Sequence, residues 1–94
     1  MAFVQTLAIK TSDRDAVKAL MAQWDADQRG VAPGYQSQRL LADRDRPGVC
    51  VIEVEFSSYE EAQRNNERPE TAAWSEKLQG LVDGDTTYAN LDVL

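Results

Sequence analysis

Val49 to Asn66, VCVIEVEFSSYEEAQRNN, is the stretch whose reading decides the fold. Its first half alternates with a period of two. Cys50, Ile52, Val54 and Phe56 fall on one face, and Val51, Glu53 and Glu55 on the other, because successive strand side chains leave opposite sides of a sheet. The first row is apolar and needs a helical cover. The second carries two carboxylates and faces water, a cavity or a second subunit. At Ser57 the period changes. Ser57-x-x-Glu60 and Ser58-x-x-Glu61 both match a capping box, in which a hydroxyl and a carboxylate satisfy the free N–H groups of a helix start. The stretch is a strand running directly into a helix.

Working outward, Tyr35 to Ala42 (YQSQRLLA) reads as a strand that reaches Val49 through the polar turn DRDRPG. A hairpin that pairs Leu41 with Val51 sets Leu40 and Ala42 beside Cys50 and Ile52. It also sets Arg39 opposite Glu53, or opposite Glu55 after a slip of two residues. Upstream, Phe3 to Lys10 forms a first strand whose Phe3, Leu7 and Ile9 share a face with Gln5. Thr11 and Ser12 offer a cap to a helix bearing Val17, Leu20, Met21, Trp24 and Gln28 on its inward stripe, with Arg14, Lys18, Gln23 and Asp25 on the wet side. Gly30 is placed as its left-handed stop. Downstream, Pro69 ends the helix begun at Tyr59 and suits the first position of another. That third helical segment turns Trp74, Leu78 and Leu81 inward. Thr86 to Leu94 is a last strand, and its Tyr88, Asn90 and Asp92 are assigned to the face opposite the helices.

The order is therefore β-α-β-β-α(α)-β. It predicts an α+β, ferredoxin-like domain over residues 1–94: a four-stranded antiparallel sheet with its helices on one face. Ninety-four residues support one core. The uncovered face would carry Val4, Thr6, Ser37, Arg39, Leu41, Val51, Glu53, Glu55, Tyr88 and Asn90. Such a mixed surface, with exposed Val4, Leu41 and Val51, predicts a homodimer joined through the sheet faces.

Composition narrows the function. A net charge of −6 argues against nucleic acid and anionic membrane partners. No apolar run approaches the roughly 20 residues of a membrane span. The sequence opens on no basic, apolar leader, so the expected location is cytoplasmic. The chain has no histidine and a single cysteine. That removes the usual general base near neutral pH, the histidine-activated nucleophiles and the commonest metal ligand. Cys50 reads as a small core hydrophobe. The Asp43/Asp45 and Asp83/Asp85 pairs are turn residues without EF-hand spacing, so neither metal nor cofactor is expected. Glu53 and Glu55 could tune each other for acid–base work, but an ion pair with Arg39 is the preferred reading.

This split-helix βαββαβ pattern, with FSSYEEAQRNNERPETAAW as its strand-to-helix passage, resembles the dimeric α/β-barrel superfamily that includes antibiotic-biosynthesis-monooxygenase-like proteins. The resemblance implies two sheets packed across a two-fold axis and a small-molecule pocket between sheet and helices or between subunits. It also implies cofactor-free oxygenase or isomerase chemistry on a hydrophobic substrate as one activity. The Asn, Trp and His set of haem-degrading members cannot be completed without histidine. Asn65, Asn66 and Trp74 could supply part of a pocket, although helix-end capping for the asparagines and core packing for Trp74 are the preferred reading. The expected ligand-binding residues are thus Arg39, Glu53, Glu55, Tyr88, Asn90, Asn66 and Trp74. A small-molecule-binding dimer is the leading function, and a structural interaction module a further alternative.

Overall fold

The structure, a computed structural model, describes residues 2–94. Its strands are β1 (Phe3–Lys10), β2 (Tyr35–Ala42), β3 (Val49–Phe56) and β4 (Thr87–Asp92); its helices are α1 (Arg14–Gln28), α2 (Tyr59–Asn66) and α3 (Pro69–Gln79). The sheet runs β2-β3-β1-β4, antiparallel throughout. This is the ferredoxin-like arrangement. Leu7, Ile9, Cys50 and Ile52 from the sheet meet Val17 and Met21 of α1 and Leu78 of α3, and all are buried. A second cluster, Phe3, Ala32, Tyr35, Phe56 and Ala62, closes the other end.

The hairpin register is the expected one, with Leu41 opposite Val51 and Arg39 opposite Glu53. Strict alternation would turn Tyr35 away from the helices. A register shift between Tyr35 and Ser37 sends it inward instead, edge-on to Phe56 at 6.3 Å. A bulge of this kind re-aims one side chain without disturbing the rest of the strand. The Tyr35 hydroxyl donates to Asp25 at 2.5 Å, and Arg29 completes the cluster by pairing with Asp25 at 2.7 Å. Asp25 is therefore a tie between α1 and β2 rather than a wet-side residue. The Arg29 and Tyr35 hydrogen bonds hold its carboxyl below the usual carboxylate range.

The helix caps also differ in one detail. Asp13, not Thr11 or Ser12, caps α1, accepting from the Ala16 N–H at 3.0 Å. Thr11 is buried: its hydroxyl accepts from the Asp13 N–H and donates to the Leu81 carbonyl at 2.7 Å, tying the start of α1 to the segment after α3. Ser58 caps α2, accepting from the Glu61 N–H, and Pro69 opens α3. Gly30 has φ +81 and ends α1 as expected.

Gly34 is the tightest backbone position. Its φ is +66, and a Cβ there would lie 2.5 Å from Glu61 Cβ and 2.7 Å from Ser57 Oγ. Its carbonyl accepts from the Ser57 N–H at 2.8 Å, so the connector before β2 is pressed against the start of α2. Both the left-handed backbone and the collision oppose a side chain. Gly34→Ala should lower stability by about 2 kcal/mol. Urea unfolding that shows less than ~0.5 kcal/mol would contradict this close approach.

The largest departure from expectation concerns β4. Tyr88 pairs with Leu7, Asn90 with Gln5 and Asp92 with Phe3, and cross-strand partners share a face. Tyr88 and Asn90 therefore lie on the helix side. Thr87, Ala89 and Leu91 join Ala8, Thr6 and Val4 on the open side. In isolation the more apolar row of β4 belongs against the helices, but β4 is an edge strand whose register is set by β1. A one-residue difference in register exchanges the whole set of side chains. The open face gains Ala89 and Leu91, and Leu91 is 49% exposed.

Candidate functional site

A cavity of about 240 Å³ lies between the sheet and the helices. Its floor is Gln5 and Leu7 of β1, Gln38 of β2, Val54 and Phe56 of β3, and Tyr88 of β4. Its walls are Trp24 of α1, Asn65 and Asn66 of α2, and Thr71, Ala72, Trp74 and Ser75 of α3. The α2–α3 break at Pro69 creates the site. A straight helix would carry its apolar stripe onward, whereas the kink delivers two helix ends and their polar residues to the same opening.

Trp24 and Trp74, expected in the core, are half-buried. Their rings stand 6.1 Å apart at 55° and form one wall of the cavity while packing against the core clusters behind it. The indole N–H of Trp74 is buried and has no hydrogen-bond partner among the described residues. An unpaired buried donor costs roughly 1–3 kcal/mol, and an acceptor atom on a bound molecule would relieve it.

Two amides are oriented by their partners. Gln38 donates its NH₂ group to the Met21 carbonyl at 2.6 Å. A carbonyl only accepts, so the Gln38 amide oxygen is the end left over. Asn65 is buried, and its amide oxygen accepts from both Arg68 Nη1 at 3.2 Å and Thr71 Oγ1 at 3.1 Å. Its NH₂ group is the end left for the cavity that it lines. The site thus offers N–H donors from its helical walls and an amide acceptor from its floor. Among the described residues, no carboxylate, lysine or arginine lines it.

The sequence-derived set divides in two. Asn66, Trp74 and Tyr88 line the cavity, and Asn90 stands beside it at the rim, accepting a long 3.5 Å hydrogen bond from Gln5. Arg39, Glu53 and Glu55 do not belong to it. They lie on the opposite face of the sheet, because β2 and β3 alternate and the cavity takes their other row, Gln38, Val54 and Phe56. Arg39 does pair with Glu53, at 2.9 Å. The Arg39 side chain is 67% exposed in the single chain, so the pair is an ordinary surface bridge there, worth under ~1 kcal/mol. Gln5, Gln38, Thr71 and Ser75 were not expected as site residues. Gln5 carried a signal: it interrupts the apolar row of Phe3, Leu7 and Ile9, and a lone polar residue on a core-facing row needs a partner or a cavity.

Among the described residues, no group of three or more histidine, cysteine, aspartate or glutamate side chains could hold a metal ion, and no helix is long and apolar enough to cross a membrane.

No protein-family model matches the chain, and no curated protein matches it in sequence. Solved structures do. The chain is similar to SnoaB, a cofactor-independent oxygenase from Streptomyces nogalater, with a TM-score of 0.79 and 15% identity over 99% of this chain and 93% of that one. It is similar to Rv0793 from Mycobacterium tuberculosis, with a TM-score of 0.77 and 17% identity over 100% and 96% of the two chains. An antibiotic biosynthesis monooxygenase matches with a TM-score of 0.74 and 17% identity, over 100% and 99%. The fold is that of antibiotic-biosynthesis-monooxygenase-like proteins.

Proposed function

We propose that this protein uses its antibiotic-biosynthesis-monooxygenase-like fold to bind a small, flat, uncharged organic molecule, and that it does so as a homodimer. The observation that carries the reading is the lining of the cavity: two indoles, apolar floor residues and oriented amides, with no formal charge. A volume of about 240 Å³ falls below the ~300 Å³ at which drug-sized pockets begin, which suits a ligand of one or two rings. Indole faces favour flat rings, and an unpaired indole N–H favours an acceptor oxygen on them. An anion would enter without a cationic partner, which makes its desolvation costly.

The test uses 2-acetylnaphthalene and 2-naphthoate as probes, read by quenching of Trp24 and Trp74 fluorescence. The neutral ketone should bind saturably in the sub-millimolar range and the carboxylate at least ~10-fold more weakly. Absence of saturable ketone binding, or equal binding of both, would overturn the proposal.

A second reading, cofactor-independent oxygenation, is favoured by the likeness to SnoaB and by the N–H donors of Asn65 and Trp74. Such donors stabilise an oxyanion, so a substrate acidic enough to ionise would need little acid–base help from a chain without histidine. Dioxygen uptake with 1,4-dihydroxynaphthalene above the uncatalysed rate would favour this reading over simple binding. An uptake unchanged by added protein would count against it.

The dimer rests on the open sheet face. Val4, Ala8, Leu41, Val51, Ala89 and Leu91 form an apolar surface there, with Leu41 38% and Leu91 49% exposed. Covering it is worth roughly 25 cal/mol per Å² of apolar area. Sedimentation equilibrium at micromolar concentration should give twice the 10.5 kDa chain mass, and Val51→Glu should give the single chain. A wild-type species of 10.5 kDa would refute the interface.

A further inference from the structure

We propose that Arg68 is the positioning residue of the cavity, setting which end of the Asn65 amide the bound molecule meets. Arg68 stands in the break between α2 and α3. Pro69 after it disfavours helical backbone, and Arg68 is extended at φ −82, ψ 143. Its side chain is 17% exposed. From the break the guanidinium reaches three elements: it donates to Asn65 Oδ1 of α2 at 3.2 Å, to Gln28 Oε1 of α1 at 2.8 Å, and to the Glu70 carboxylate in the first turn of α3.

The chemistry of these groups makes Arg68 decisive. An Asn side chain can turn over, exchanging its oxygen and its NH₂ group at little steric cost. Thr71, the other partner of the Asn65 oxygen, cannot prevent this, because a hydroxyl donates or accepts as required. An arginine only donates. It holds the oxygen towards itself and leaves the NH₂ group as the cavity-facing end. Gln28 and Glu70 hold the guanidinium in turn, so the orientation of one cavity amide depends on contacts to all three helices.

The geometry belongs to the chain itself; its consequence for selectivity rests on the ligand-binding reading above. Two measurements separate these. The first follows the ordering of the Asn65 side-chain NH₂ group in the free protein, by ¹⁵N relaxation. It should be rigid in wild type and in Arg68→Lys, which also only donates, and mobile in Arg68→Met. Thr71→Val should leave it rigid, and this variant decides the matter if Arg68→Met does not fold. A rigid amide in Arg68→Met, or a mobile one in Thr71→Val, overturns the proposal.

The second measurement compares 2-acetylnaphthalene with 2-ethylnaphthalene, which match in shape but differ in the acceptor oxygen. Wild type should prefer the ketone by roughly 10-fold, as one hydrogen bond allows. Arg68→Met should lose much of that preference while holding the hydrocarbon within ~2-fold, and Arg68→Lys should restore most of it. An equal loss for both probes would make Arg68 a merely structural residue and overturn the proposal. If neither probe binds wild type, the ligand-binding reading fails and the relaxation result still decides the role of Arg68.

Discussion

Ile52→Ala is expected to lower the unfolding free energy by about 4 kcal/mol. Ile52 is fully buried at the centre of the sheet, between Leu7 on β1 and Leu40 on β2, beneath the helices. Removing three carbons there forfeits their transfer free energy and leaves a void. The site resists collapse because its neighbours sit on paired strands on both sides, and strands held in register move little. A domain of this size has roughly 5–10 kcal/mol of stability in total, so the variant should be marginal at 37 °C. Urea unfolding would measure the effect. A loss below ~1.5 kcal/mol would mean that the helices settle onto the gap and that the core is softer than its burial implies.

The reasons Ile52 was readable as core, and the face of the sheet that Tyr88 takes was not readable, are physical. Cys50, Ile52, Val54 and Phe56 announce their face because β3 is an interior strand, flanked by β2 and β1, and one whole side must be covered. Ser58 and Pro69 mark helix starts through contacts within one turn of the chain. Such signals are local, and the element order, the hairpin register and the Arg39–Glu53 pair followed from them. The face of β4 depends instead on its pairing with β1 across some eighty residues of chain, for example Gln5 with Asn90. Nothing within TTYANLDVL specifies that pairing. Its apolar row went to the open face and its polar row to the cavity rim.

The cavity was half legible for the same reason. Trp74 occupies a stripe position that core and cavity walls share, and Gln5 broke an apolar row. Arg68 was visible only as the residue before Pro69. Its grip on Asn65 and Gln28 requires α1 to lie across the α2–α3 break, a tertiary fact with no counterpart in local spacing.

Trp74→Ala should lower stability by about 3 kcal/mol and weaken ketone binding by at least ~10-fold. The stability loss sits at the low end for a tryptophan because the ring is half-buried and one side already faces the cavity. Part of the cost is offset, since the unpaired indole N–H disappears with the ring. Binding suffers twice: the wall that stacks on the ligand is gone, and so is a donor for its oxygen. Trp74→Phe separates the two effects. It keeps an aromatic wall and most of the packing against Leu78 and Trp24 but removes the N–H. It should therefore retain 2-ethylnaphthalene binding within ~3-fold and lose part of the preference for the ketone, the Asn65 amide keeping the rest. If Trp74→Phe kept the full preference, the indole N–H would have no part in recognition and Asn65 alone would carry it. If Trp74→Ala left binding intact while lowering stability, Trp74 would be a core residue, and the ligand would have to lie nearer Tyr88 and Asn66 at the rim.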